Sequence, residues 1–166
     1  MSILVQTTVA PAVKTKNVSK IAIVYAVILV GMVVTQLFTF DEFLKLLSVF
    51  DLPGGVRYAH FIGAFLVTAE VLALPFLLRM QLSPAFRVVS MILGWAVALI
   101  WTKLTVWLLI QDSYINNVGF LGTVVNLILG WWAVFFSIAL GILAGWSSWG
   151  MWPVQQKTKR VSKRTK

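Results

Sequence analysis

The chain has no cysteine, a single histidine and only five acidic residues among 166. The missing cysteines exclude disulfide staples, thiolate metal sites and dithiol redox chemistry carried by this chain itself. One histidine excludes a haem held by two histidine ligands. With no acid cluster beside it, that histidine also gives no reason to expect a metal site. Nucleophile–base motifs, P-loops and dinucleotide fingerprints are missing as well, so no independent catalytic activity is expected. Charge is scarce throughout, at 11% of residues, where a soluble domain carries about 25%.

What is abundant is apolar sequence, 60% of the chain, gathered into four long blocks. They run roughly 21–40, 57–79, 87–111 and 118–146. Each reaches the ~20 residues needed to cross ~30 Å of hydrocarbon. The pattern predicts an all-α fold, a transmembrane four-helix bundle over 21–152, with an N-terminal segment 1–20 before it and a basic tail 153–166 after it. The first block is too long for a signal-peptide core, and "LFTFDEF" after it lacks an A-x-A-like cleavage site, so it reads as an uncleaved helix.

The net charge of +9 follows topology rather than nucleic-acid binding, and no nucleic-acid partner is expected. Three lysines precede the first block, Arg79 and Arg87 flank the second link, and "QQKTKRVSKRTK" holds six more cations. The opposite side holds only Lys45 and Arg57. The positive-inside rule therefore places both termini in the cytoplasm, in an inner (plasma) membrane crossed several times. The basic tail is also suited to touch anionic lipid, at ~1 kcal/mol per cation near the surface. Trp146, Trp149 and Trp152 just before it form an aromatic belt at that interface.

Between the first two blocks, "DEFLKLLSVF" places Phe43, Leu47 and Phe50 at helical spacing. It predicts a short interfacial amphipathic helix over about 41–50, or a continuation of the first helix, stopped by "DLPGG". Pro75 inside the second block predicts a bend near Val71, which would open space beside Glu70. Ser83 and Pro84 read as N-cap and first-turn residue of the third helix. In the fourth block Gly122, Asn126, Gly130, Ala133, Ser137, Gly141 and Gly145 recur every three or four residues, a small-residue stripe for close helix packing.

Five strongly polar residues stand within the apolar blocks: Gln36, His60, Glu70, Lys103 and Asn126. At 1.5 Å per residue, Glu70 lies ~20 Å from Arg57, near mid-membrane, and Lys103 lies ~12 Å below the outer surface. An ionised acid at that depth costs a few kcal/mol, so Glu70 should be neutral, paired or facing water. Lys103 is within side-chain reach by depth, and a Glu70–Lys103 pair is expected. All five residues fall in the outer half or near the midplane, which predicts a polar cavity opening outward. The plainer readings are a structural ion pair, a Lys103 that snorkels outward over Trp107, an interfacial His60 and an Asn126 that only bonds between helices.

Helix two with its central acid, "YAHFIGAFLVTAEVLALPFLLR", resembles the second helix of the DoxX-like family, which adjoins the MauE-like proteins. "FDEFLKLL" resembles that family's exit from helix one, and the likeness covers roughly 25–145. The resemblance implies a four-helix bundle linked to respiratory or thiol redox systems and to quinone. Only Glu70 carries over as a matched position. With no cysteine here, a thiol role would belong to a partner, another membrane or redox protein. The resulting expectation is a redox-associated membrane protein with a quinone-like lipid in its cavity. The rivals are a non-catalytic scaffold or assembly subunit and, less well supported, a small transporter.

Overall fold

The computed structural model describes residues 14–111 and 115–152. The basic tail and the first 13 residues lie outside them, and so does the contact of that tail with anionic lipid. Five helices follow one another: α1 (Lys16–Phe38), α2 (Phe40–Ser48), α3 (Gly55–Leu77), α4 (Pro84–Ile110) and α5 (Trp131–Met151). No strand occurs among the described residues. Four of the helices, all but α2, are long and apolar enough to cross a membrane. They close a ring in which α3 packs on α4, α4 on α5, α5 on α1 and α1 on α3. The chain is an all-α bundle of four candidate spans.

An even number of spans returns the chain to its starting side. The Lys14 amide donates to the Gly150 carbonyl at 3.1 Å, and the Lys14 ammonium sits 4.3 Å from the centre of the Trp149 ring. The aromatic cluster ahead of the tail is thus joined to the start of α1, and a cation over an indole face adds attraction there.

Between α1 and α2 the helix is interrupted at Thr39 (φ −120°, ψ 36°). The nine-residue α2 runs antiparallel to the N-terminal part of α3, with Leu44 and Leu47 against Gly63 and Ser48 beside His60. Its buried residues are Phe43 and Leu47, while Asp41, Glu42 and Lys45 are exposed, as the helical spacing of its apolar residues requires.

Ser83 caps α4 as its sequence position suggests: its hydroxyl accepts from the Phe86 amide at 3.3 Å, with Pro84 in the first turn. Pro75 falls in the last turn of α3, and Ser90 of α4 repairs the damage there. Its hydroxyl donates to the Leu72 carbonyl and accepts from the Phe76 amide at 3.1 Å, bridging the donor and acceptor of one helical step. A side chain inserted into the i→i−4 ladder is a known cause of local helix distortion. Glu70, one turn earlier, is wholly buried.

The largest departure from the sequence reading is the fourth span. The apolar block predicts a helix over 118–146, but α5 begins only at Trp131 and runs on to Met151. Residues 117–130 are irregular and fold back on themselves, with the Val118 amide bonded to the Leu127 carbonyl and the Leu129 amide to Ile115. Asn117 organises the turn. Its amide nitrogen donates to the Gly122 carbonyl at 2.9 Å, and its oxygen accepts from the amides of Gly119 and Leu127. This local competition with helical bonding is characteristic of Asn. Gly119 (φ +89°) and Gly122 (φ +58°) supply left-handed backbone that other residues resist.

The small-residue stripe is corrected accordingly. Gly122 and Asn126 lie in the irregular segment, and Gly130 is the extended residue before α5. Only the later half of the stripe packs helices. A Cβ on Gly141 would touch Ala98, one on Gly145 would press on Trp95, and Ser137 meets Thr105 at 3.3 Å between hydroxyls.

Candidate functional site

Glu70 is wholly buried, on the face of α3 that looks into the ring. The expected ion pair is not formed. Oε1 accepts from the Trp101 indole at 3.2 Å and from the Gln36 amide at 3.5 Å. Lys103 is exposed instead. The reason is helical rotation. Two residues turn a helix by about 200°, so an α4 that aims Trp101 at Glu70 must aim Lys103 away. Counting depth alone brought the two together; direction around the helix separates them.

Gln36 links this acid to the irregular segment. Its Nε2 also donates to the Phe120 carbonyl at 3.0 Å. Phe120 is 2% exposed, with its ring 4.5 Å from Trp101 and 4.8 Å from Phe136. Non-helical backbone at membrane depth survives only where protein surrounds it and satisfies it. Gln36 does the second, and the aromatic rings do the first. On the same side Gly122 lies against Thr35 and Thr39, the Thr123 amide donates to the Thr39 hydroxyl at 3.1 Å, and Thr123 Oγ1 donates to Glu42 at 2.8 Å. Residues 117–123 therefore sit as a plug over the C-terminal end of α1. Behind it, Glu70 Oε2 and Gln36 Oε1 are buried without a partner.

The remaining candidates lie elsewhere. His60 is exposed and meets the Ser48 hydroxyl at 3.1 Å, a tie between α3 and α2. Asn126 is exposed in the irregular segment, 3.5 Å from Asn117 Nδ2. Of the five residues, the structure joins Gln36 and Glu70 and keeps Lys103, His60 and Asn126 apart. Trp101, Phe120 and Asn117 complete the site. An Asn two residues ahead of a Gly was the visible hint for Asn117. Trp101 and Phe120 gave no signal, being apolar residues in apolar runs. Among the described residues, no group of three or more His, Asp or Glu is placed to hold a metal ion.

The space open to a ligand lies on the other side of α4. A groove of about 750 Å³ runs between the N-terminal half of α3 and the C-terminal half of α4, lined by Phe61, Phe65, Ile100, Lys103, Trp107 and Ile110 among others. Phe61 and Ile110 are among the most exposed large apolar residues, so the groove faces away from the bundle, toward lipid. Trp107, in its lining, donates to the Phe50 carbonyl at 3.3 Å. Phe61 and Phe65 stack along one wall, ring centres 6.3 Å apart. The expected outward-opening polar cavity is thus replaced by two features: a sealed polar cluster at Glu70, and an apolar groove whose lining includes Lys103. No family model matches the chain, and no curated protein or solved structure matches it either.

Proposed function

We propose that this chain is a membrane-integral subunit of DoxX-like type that serves redox chemistry through a partner protein or a quinone-like lipid and carries out no reaction alone. The observation that supports this reading most is the α3–α4 groove. Its volume falls in the ~300–1,000 Å³ range of small-molecule sites, and its walls are apolar and aromatic. A ring-and-tail molecule reaches it from the lipid phase without crossing water, and the stacked Phe61 and Phe65 offer faces for a flat ring. The resemblance of helix two and its acid to the DoxX-like pattern supports the redox association. The placement belongs to the same proposal: an inner (plasma) membrane with both termini cytoplasmic, and the basic tail on anionic lipid.

Extraction of the protein purified from its own membranes tests this reading. Quinone is expected at a ratio approaching one per chain, and Ile100→Trp, which fills the groove, should remove it. A wild-type preparation without quinone counts against the ligand.

The scaffold reading has one observation in its favour. Glu70, the residue that best matched a functional acid, spends its contacts on holding α1, α3, α4 and the plug together. Stoichiometric retention of another membrane protein, with no quinone, would select it.

A further inference from the structure

Lys103 is the only charged residue in the groove lining, and the lining holds no carboxylate. It is exposed, and it has no hydrogen bond or ion pair with any described residue. Of the other polar side chains in the lining, the Tyr58 phenol is exposed and two are engaged within the protein. The Thr102 hydroxyl donates back to Ala98, and the Trp107 indole donates to Phe50. Three N–H donors on one ammonium therefore have no acceptor among the described residues.

The depth of Lys103 fits a lipid headgroup. The 27 residues of α4 span about 40 Å against ~30 Å of hydrocarbon, so its ends stand a few Å into the headgroup zone. Lys103 lies about 10 Å before the α4 terminus, shallowly within the hydrocarbon, and a lysine stem carries its ammonium to the glycerol–phosphate level. Below it the groove continues along Phe65 and Ile100, which are apolar. Lys103 stands midway along the α4 wall, between Ile100 and Ile110, so a cation carried outward on its stem, with apolar walls beneath, matches the two ends of a phospholipid.

We infer that the α3–α4 groove holds an anionic phospholipid, with its headgroup on the Lys103 ammonium and an acyl chain along Phe65 and Ile100. The inference goes beyond the quinone reading and rests only on the groove being open to lipid. It makes the resident lipid the molecule that any quinone-like ligand must displace. A negative head is favoured because it neutralises a charge that α4 places where water is scarce.

Native mass spectrometry of the full chain, released from micelles holding equal phosphatidylglycerol and phosphatidylcholine of matched acyl chains, tests the idea. Wild type is expected to retain phosphatidylglycerol about tenfold over phosphatidylcholine. Lys103→Met should bring the ratio close to that set by the basic tail alone, and Lys103→Arg should restore it. Lys45→Met, an exposed cation outside the groove, should leave it unchanged. A wild-type preference that survives in Lys103→Met overturns the inference, as does one that survives in Ile100→Trp. The same spectra with added quinone keep the two proposals apart. Quinone bound with no Lys103-dependent lipid preference leaves the quinone reading standing alone. A Lys103-dependent preference with no quinone leaves the lipid site standing alone. Thermal melts of each variant separate lost lipid from lost fold.

Discussion

The Gln36 side-chain nitrogen lies 3.0 Å from the Phe120 carbonyl, 84 positions along the chain, and 3.5 Å from the Glu70 carboxyl. One amide thus ties the end of α1 to α3 and to the irregular plug before α5. Gln36→Leu should leave a backbone carbonyl without a partner in a dry site, at a cost of about 1–3 kcal/mol. A lowered melting temperature in detergent is the expected result. Leu37→Ala, one residue on and outward-facing, should melt close to wild type.

Glu70 and Lys103 share no partner, so their effects should add. In a cycle of Glu70→Gln, Lys103→Met and the double variant, the coupling is expected within about 0.5 kcal/mol of zero. A double variant clearly more stable than the sum of the singles would show a pair the structure does not contain.

Ser90→Ala removes the hydroxyl that bridges Leu72 and Phe76 across the last turn of α3. Two backbone groups next to Pro75 then lose their partner, and a loss of about 1–3 kcal/mol is expected. Hydrogen exchange should rise at the Phe76 amide, and protection unchanged there would contradict the bridge.

Two glycines should respond in opposite ways to alanine. Gly122 has φ +58°, and a Cβ on it would stand 2.6 Å from Thr39 Oγ1, so Gly122→Ala is expected to cost about 1–3 kcal/mol. Gly31 lies within α1 with nothing within 4 Å of such a Cβ, and Gly31→Ala should stabilise by up to about 1 kcal/mol through helix propensity. Melting temperatures of the two variants check the contrast.

The cysteine-free chain makes topology simple to test, since one introduced thiol has no background. Lys14→Cys and Trp152→Cys should both be shielded from an impermeant maleimide added outside intact cells, and Asn116→Cys should label. Labelling of Lys14→Cys from outside would reverse the orientation that 11 cations against 2 imply.

Span number and the inward face of Glu70 were legible because hydrocarbon thickness and the cost of a buried acid leave few alternatives. Direction around each helix was less legible. Lys103 and Trp101 differ by two positions, and which of them meets Glu70 depends on how α3 and α4 pack. The run "VVNLILGWWAV" is apolar apart from Asn126, so its period does not reveal that Val124–Gly130 is irregular. The deciding residues were Asn117, Gly119 and Gly122, whose turn chemistry overrides a hydropathy window. The groove was invisible for another reason: its walls, such as Phe61 and Ile100, look like any lipid-facing residues.

The plug over Glu70 also sets an order of assembly. Domains emerge and begin to fold from the N-terminus during synthesis. When α3 has been made, Gln36 is the only one of the acid's two donors in existence, because Trp101 belongs to α4. The Phe120 backbone and ring that close the site come later still. The site becomes dry only when the last hairpin folds back, so the final segment acts as the lock on the whole bundle.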